Sequence, residues 1–275
     1  GGITMLQGLE LLATDAQTKV VAIVSKPPAP DVQKRVIERA GAIGKPVVIC
    51  FLGGDPAASA GNVHRASSLE ETARQAVALA GARQPGGDEQ SIEALATRVC
   101  ASLAPSQRNL RGLYSGGTFC SEAQTIWRAA GLRVRSNAPL AEADRLADVE
   151  ASQGHTAIDL GSDEFTVGRP HPMIDPSVRD DALRAALKNH DLSVILLDLV
   201  LGYGAHADPA EHLTKIVADR GQDAPVLVAS VVGTEQDPQG RSAQVRKLEQ
   251  AGFVVAPSNA QACELAVAIV QNAGR

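Results

Sequence analysis

At 275 residues, 44% of them hydrophobic, the chain is long enough for about two ordinary domains and too apolar for global disorder. An aromatic content of 3% and a formal net charge of -5 argue against nucleic acid or an anionic membrane as partner. No apolar run approaches the roughly 20 residues of a membrane helix. No secretory signal is visible. The cysteines Cys50, Cys100, Cys120 and Cys263 lack metal-type spacing and read as buried thiols of a cytoplasmic protein.

Residues 3–14 carry Ile3, Leu6, Leu9 and Leu12 on one helical face. Met5 falls inside this helix, so the chain reads as cut from a longer one. Val20–Val24 is a continuous β-branched run, expected for a strand covered on both faces. A helix over Asp31–Ala40 follows, with Asp31 as its expected N-cap. Val47–Leu52 is the next strand and leads into Gly53-Gly54-Asp55. Ser67–Glu71 has the pattern of a capped helix start, continued by Ala73–Ala80.

Gly81–Asp88 is the expected linker. Ser91–Cys100 is expected to be a helix crossing to a second domain. The boundaries are 1–84 for the first domain, 85–104 for linker and crossing helix, and 105–275 for the second. Leu110–Tyr114 is a strand ending in Ser115-Gly116-Gly117-Thr118, with a helix over Phe119–Ala130. His155–Leu160 is a strand, Ser177–Lys188 a helix and Val194–Leu199 a strand. Pro209–Ala218 is a helix, Pro225–Val231 a strand, Ala243–Ala251 a helix, Phe253–Val255 a strand and Ala260–Gln271 the last helix. Strands alternate with helices throughout, which predicts an α/β fold with parallel sheets.

One unit occurs twice. Val20–Val24, a helix and Pro46-Val47-Val48-Ile49 ending at Gly53 match Val194–Asp198, a helix and Pro225-Val226-Leu227-Val228 ending at Gly233. Each is a βαβ unit whose second strand ends in a Gly-bearing loop, the edge of an open α/β sheet where small anions bind.

Several strings resemble the FdrA family of predicted acyl-CoA synthetases, within the succinyl-CoA synthetase (CoA-ligase) superfamily. They are Val24-Ser25-Lys26-Pro27-Pro28, Leu110–Thr118, Gly168-Arg169-Pro170-His171-Pro172-Met173-Ile174-Asp175-Pro176, Leu201–His206 and Pro257-Ser258-Asn259. The resemblance spans essentially the whole chain. It implies two flavodoxin-like, three-layer CoA-ligase domains, the first α-subunit-like and the second β-subunit-like. It also implies an N-terminal CoA-binding domain ahead of Gly1. CoA or phosphate is the implied cofactor, with nucleotide entering only through a missing domain or a partner chain. The implied partners are a small anionic substrate and other subunits, or the missing domain itself.

Ser115-Gly116-Gly117-Thr118 joins a strand to a helix start, where amide N–H groups suit an anion. The resemblance adds a phosphate-facing helix start at the same place. Gly53, Gly54, Gly233 and Thr234 hold equivalent positions in the two repeats. The alternative for each is a plain turn needing small residues. Arg169 can grip a carboxylate or phosphate, and His171 can move a proton; a structural loop is the other reading. Asp198, Tyr203 and His206 mark another strand-end loop. His206 with Asp208 could pair or bind a metal, although two ligands without a third give weak support, and no metal is assigned. His64 lies where the superfamily carries a phosphohistidine in a Gly-His-Ala-Gly string. Here the string is Gly61-Asn62-Val63-His64-Arg65-Ala66, so an ordinary surface or strand-end histidine is the stronger reading.

Two functions from different classes follow. One is an FdrA-like enzyme handling an acyl or carbamoyl phosphate, either a ligase or a subunit of an oxamate carbamoyltransferase in purine or allantoin breakdown. The other is a non-catalytic, anion-binding assembly subunit. No Walker A string occurs and 275 residues leave no room for an ATP-grasp domain, so the chain alone is expected to be inactive.

Overall fold

The computed structural model describes residues 1–54, 59–83, 91–150 and 154–273. Asp55 and the expected linker beyond Arg83 lie outside them. The chain divides into two compact units, residues 1–88 and 89–275.

The first unit contains α1 (Ile3–Thr14), β1 (Val21–Ser25), α2 (Pro30–Ala42), β2 (Val47–Phe51), β3 (Val63–Arg65) and α3 (Leu69–Leu79). Its sheet is parallel, in the order β1-β2-β3. Helices α1 and α2 cover one face through Leu9, Val36 and Ala40, while α3 lies with Val48, Cys50 and Leu52 on the other. β2 is buried at every residue. β1 is not: Val21 and Ile23 face the core, but Ala22 and Val24 are exposed. The expectation of a strand covered on both faces is corrected there, because β1 is the sheet edge. Asp31 is not a cap either. Pro30 occupies the first helical position behind Ala29, and Asp31 acts only as a first-turn acid. The start of α3 is as its sequence reads. Ser68 Oγ accepts from Glu71 N (3.0 Å), and Glu71 Oε2 accepts from both Ser67 N and Ser67 Oγ (2.7 Å each).

The second unit contains α4 (Ile92–Cys100), β4 (Asn109–Tyr114), α5 (Gly117–Ala129), β5 (Val134–Ser136), β6 (His155–Asp159) and α6 (Asp163–Thr166). It continues with α7 (Asp180–Leu187), β7 (Leu192–Val200), α8 (Pro209–Val217), β8 (Val226–Val232), α9 (Arg241–Gln250), β9 (Val254–Ala256) and α10 (Asn259–Ala273). Its parallel sheet runs β5-β6-β4-β7-β8-β9. Along β7, Ile195, Leu197 and Leu199 pack under α7, α8 and α9, while Val194 and Leu196 pack under α4, α5 and α10. A strand clad on both faces is largely apolar, which is why β7 reads as a run broken only by Ser193 and Asp198. Helix α4 packs on α10 and so belongs to the second unit. The expected helix over Ser177–Lys188 is split. Pro176–Arg179 forms a tight 3₁₀ turn before α7 begins at Asp180. Three of the cysteines are buried and Cys100 is half-buried.

The chain leaves β4 through α5 on one face toward the β5 edge, and leaves β7 through α8 on the other face toward β8. The carboxyl ends of β4 and β7 therefore flank the point where the winding reverses. Open α/β sheets form their ligand crevice at such a point.

Candidate functional site at the reversal of the sheet

Asp198 lies in the apolar run of β7 and is fully buried. An ionised carboxylate survives such burial only if its lone pairs are met. They are. Oδ1 accepts from Ser115 N (2.7 Å), and Oδ2 accepts from Ser115 Oγ (2.9 Å) and Gly116 N (3.0 Å). Arg179, 2% exposed, brings Nη1 to the Asp198 carbonyl (2.8 Å) and to Oδ1 (3.3 Å), forming a buried ion pair. Burial lowers the Arg179 pKa from the ordinary arginine range, against the opposing pull of Asp198 and Asp180.

The expectation that Ser115 and Gly116 offer their amides to an external anion is thus corrected: the protein's own carboxylate holds them. The next donors stay open. Gly116 caps α5 without a side-chain bond, and the N–H groups of Gly117 and Thr118 meet no acceptor among the described residues. Gly117 is required here. A Cβ on it would lie 2.5 Å from Asp159 Oδ2. Gly161 is equally constrained, since a Cβ there would sit 2.6 Å from both His171 Nε2 and the Ser115 carbonyl, and 3.3 Å from Asp159 Oδ1. Thus the ends of β4 and β6 and the following loop bring Ser115, Gly117, Asp159 and His171 together. His171 Nδ1 accepts from Met173 N (3.2 Å), so a neutral ring carries its proton on Nε2, the nitrogen that lies against Gly161.

The adjoining loops are braced to this centre. His206 N donates to the Met173 carbonyl (2.8 Å). Gln239, 8% exposed, donates from Nε2 to the carbonyls of Gly202 (2.9 Å) and His206 (3.0 Å) and accepts from Gly202 N (3.2 Å). Tyr203 at the loop tip is 91% exposed.

The other candidates are placed differently. Arg169 is exposed, and the buried cation of the site is Arg179 instead. Thr234 is not a free donor: its N–H goes to Asp237 Oδ2 (2.5 Å), as does its hydroxyl (3.1 Å). Gly233 is pressed against Leu201, with a Cβ predicted at 2.7 Å. In the first unit, Gly54 N donates to the Phe51 carbonyl (2.9 Å), so the Gly53-Gly54 turn uses that amide itself. His64 lies within β3, paired with Val48. His206 and Asp208 do pair, but through Asp208 N to His206 Nδ1 (3.1 Å); the Asp208 carboxylate goes to Lys247 and Gln244. Among the described residues no cluster of three or more His, Cys, Asp or Glu is arranged to hold a metal, and no helix is long and apolar enough to cross a membrane.

The CoA-ligase family profile matches residues 113–269, more than half of the chain and nearly all of the second unit's sheet. The chain belongs to the CoA-ligase family. A curated relative, the uncharacterized protein YahF of Escherichia coli (strain K12), is 37% identical over 268 residues. That match covers 94% of this chain and 52% of YahF, so the chain spans about half the length of the relative. Among solved structures, a dinucleotide-forming acetyl-coenzyme A synthetase 1 of Ca. Korarchaeum cryptofilum, bound to phosphate and ADP, is 14% identical. It aligns with 98% of this chain and 56% of its own, at a TM-score of 0.45. An ATP citrate lyase mutant of Methanosaeta concilii in complex with (3S)-citryl-CoA is also 14% identical, over 97% of this chain and 36% of its own, at a TM-score of 0.38. Likeness at that level says nothing about chemistry.

Proposed function

We propose that this CoA-ligase family chain is an FdrA-like transferase or ligase component that handles the acyl or carbamoyl group of an activated phosphate. The observation that carries this reading is the start of α5. Its Gly117 and Thr118 N–H groups are open, beside Asp159 and His171, at the reversal point of a parallel sheet. Such N–H groups, fixed in advance by the Asp198–Arg179 pair, stabilise charge developing on a carbonyl oxygen without reorganising. With its proton on Nε2, His171 would donate a hydrogen bond to an oxygen of the reacting group and so steady the charge that develops there. Transfer by this route needs no phosphohistidine, which fits the position of His64 inside a strand. CoA would serve as acceptor through its thiol, and an amide such as oxamate would be the acceptor in the carbamoyl case. Donor groups for an acyl end are present at α5, whereas nucleotide activation belongs to another domain or subunit.

The test is transfer from acetyl phosphate and carbamoyl phosphate to CoA or to oxamate, followed in the protein assembled with its co-purifying subunits. His171→Ala and Thr118→Pro are each expected to lower turnover at least tenfold. Unchanged turnover in both would show that the α5 edge does no chemistry. The reading would then pass to a non-catalytic assembly role.

A further inference from the structure

The repeat in the sequence reaches further in the structure than one βαβ unit. The first unit runs α1-β1-α2-β2-β3-α3, and the second contains α7-β7-α8-β8-α9-β9-α10. Their strands follow the same parallel order, β1-β2-β3 and β7-β8-β9. Helices α1 and α2 share one face of the first sheet and α3 takes the other. Likewise α7 and α8 share one face of the second sheet and α10 takes the other.

The two copies differ at one flank. In the second, β4 lies parallel along the outer side of β7, and α5, which follows β4, packs beside α10 on the same face. In the first, β1 meets no strand on its outer side among the described residues. Val21 N donates to the Pro46 carbonyl (3.0 Å), and Leu52 N donates to the Ser25 carbonyl (2.9 Å). Val21, Ile23 and Ser25 therefore turn their backbone groups toward β2, and the alternating residues Ala22 and Val24 turn theirs outward. The side chains of Ala22 and Val24 lie on the α3 face, in register with Val48 and Cys50, and both are exposed. On the equivalent face of β7, Val194 and Leu196 are 0% and 1% exposed beneath α5 and α10. Helix α3 is bare in the same way: it buries Thr72 alone, whereas α10 buries nine residues.

Edge strands are ordinarily kept short, charged or interrupted by proline, because an open edge pairs with any strand that reaches it. The other three sheet edges, β3, β5 and β9, have three residues each. β1 has five, Val21-Ala22-Ile23-Val24-Ser25, with no charge and no proline.

We infer that the outer edge of β1 and the adjoining flank of α3 form an interaction surface for a strand and the helix that follows it. These stand to β1 and α3 as β4 and α5 stand to β7 and α10. The strand adds parallel to β1 through the backbone of Ala22 and Val24, and the helix covers their side chains. Its source is a stretch of the same polypeptide outside residues 1–275. The match to YahF covers 52% of that relative, which leaves ample length for such a segment.

The test compares amide hydrogen exchange in the 275-residue chain and in the polypeptide encoded by the complete gene, each at two concentrations. In the shorter chain the Ala22 and Val24 amides are expected to exchange faster than those of Val21 and Ile23. In the longer one they are expected to slow by about a hundredfold at both concentrations. Val24→Pro removes only an outward N–H, which an edge strand tolerates, and is expected to abolish the slowing at Ala22. If that variant fails to fold, the parent comparison decides alone. Equally fast exchange at Ala22 and Val24 in both polypeptides would overturn the inference, as would a gene that encodes nothing beyond these residues. Slowing that appears in the shorter chain as its concentration rises would also overturn it, since a second copy would then be the occupant.

Discussion

His155 shows how one side chain ties this fold to pH. It is half-buried at the start of β6, and its Nδ1 accepts the Leu110 N–H at 3.3 Å, a bond that only an unprotonated nitrogen can make. Burial lowers its pKa below the ordinary 6.5, so the folded chain binds this proton less readily than the unfolded chain. Its stabilisation is therefore complete above pH 6.5 and is lost as pH falls from there through the folded value. The urea midpoint of the second unit should drop between pH 7.5 and pH 5, and His155→Gln should flatten that drop. Sequence alone places His155 in a strand but not its proton balance, which depends on a neighbouring strand 45 residues away. Asp198 illustrates the same limit. A lone acid in an apolar run is visible in the sequence, yet the turn it fastens lies 83 residues earlier. Arg179 was not legible at all. In Pro176-Ser177-Val178-Arg179-Asp180 it reads as one more surface cation, and only the 3₁₀ turn rotates it inward.

Among the elements, those with a long period or chemical punctuation could be read directly. β7 and β8 are largely apolar runs bounded by polar turns, and α3 announces itself through Ser67, Ser68 and Glu71. Ser68→Ala should remove the bond to Glu71 N and cost about 1 kcal/mol of first-unit stability, measured by thermal unfolding against the parent chain. β3 and β5 escaped detection because each is only three residues long and mostly polar, Val63-His64-Arg65 and Val134-Arg135-Ser136, whereas the equally short β9, Val254-Val255-Ala256, is apolar throughout. Tertiary pairing makes them strands: β3 is held along β2, and β5 along β6. β1 shows the converse error. Its β-branched run promised two covered faces, but its place at the sheet edge leaves Ala22 and Val24 exposed. Propensity specified a strand there and could not specify its neighbours.

At the scale of the molecule, the duplicated βαβ pattern foretold two parallel sheets, and each unit has its own core on both faces of its sheet. The loops needed coordinates, because their hydrogen bonds join segments distant in sequence. Gln239 is the plainest case: one side chain holds the backbone at Gly202 and His206, and His206 holds Met173. Gln239→Ala should raise amide hydrogen exchange at residues 202–206 and 173–175 together, with β7 unchanged; exchange confined to 202–206 would show that the loops are independent. Two loops hang from that single amide, the Gly202–His206 loop directly and the Met173 loop through His206, so they are braced as one unit. A reactant of the proposed kind would then be sorted by whether it fits an aperture already cut to shape, with no toll for opening and shutting a door.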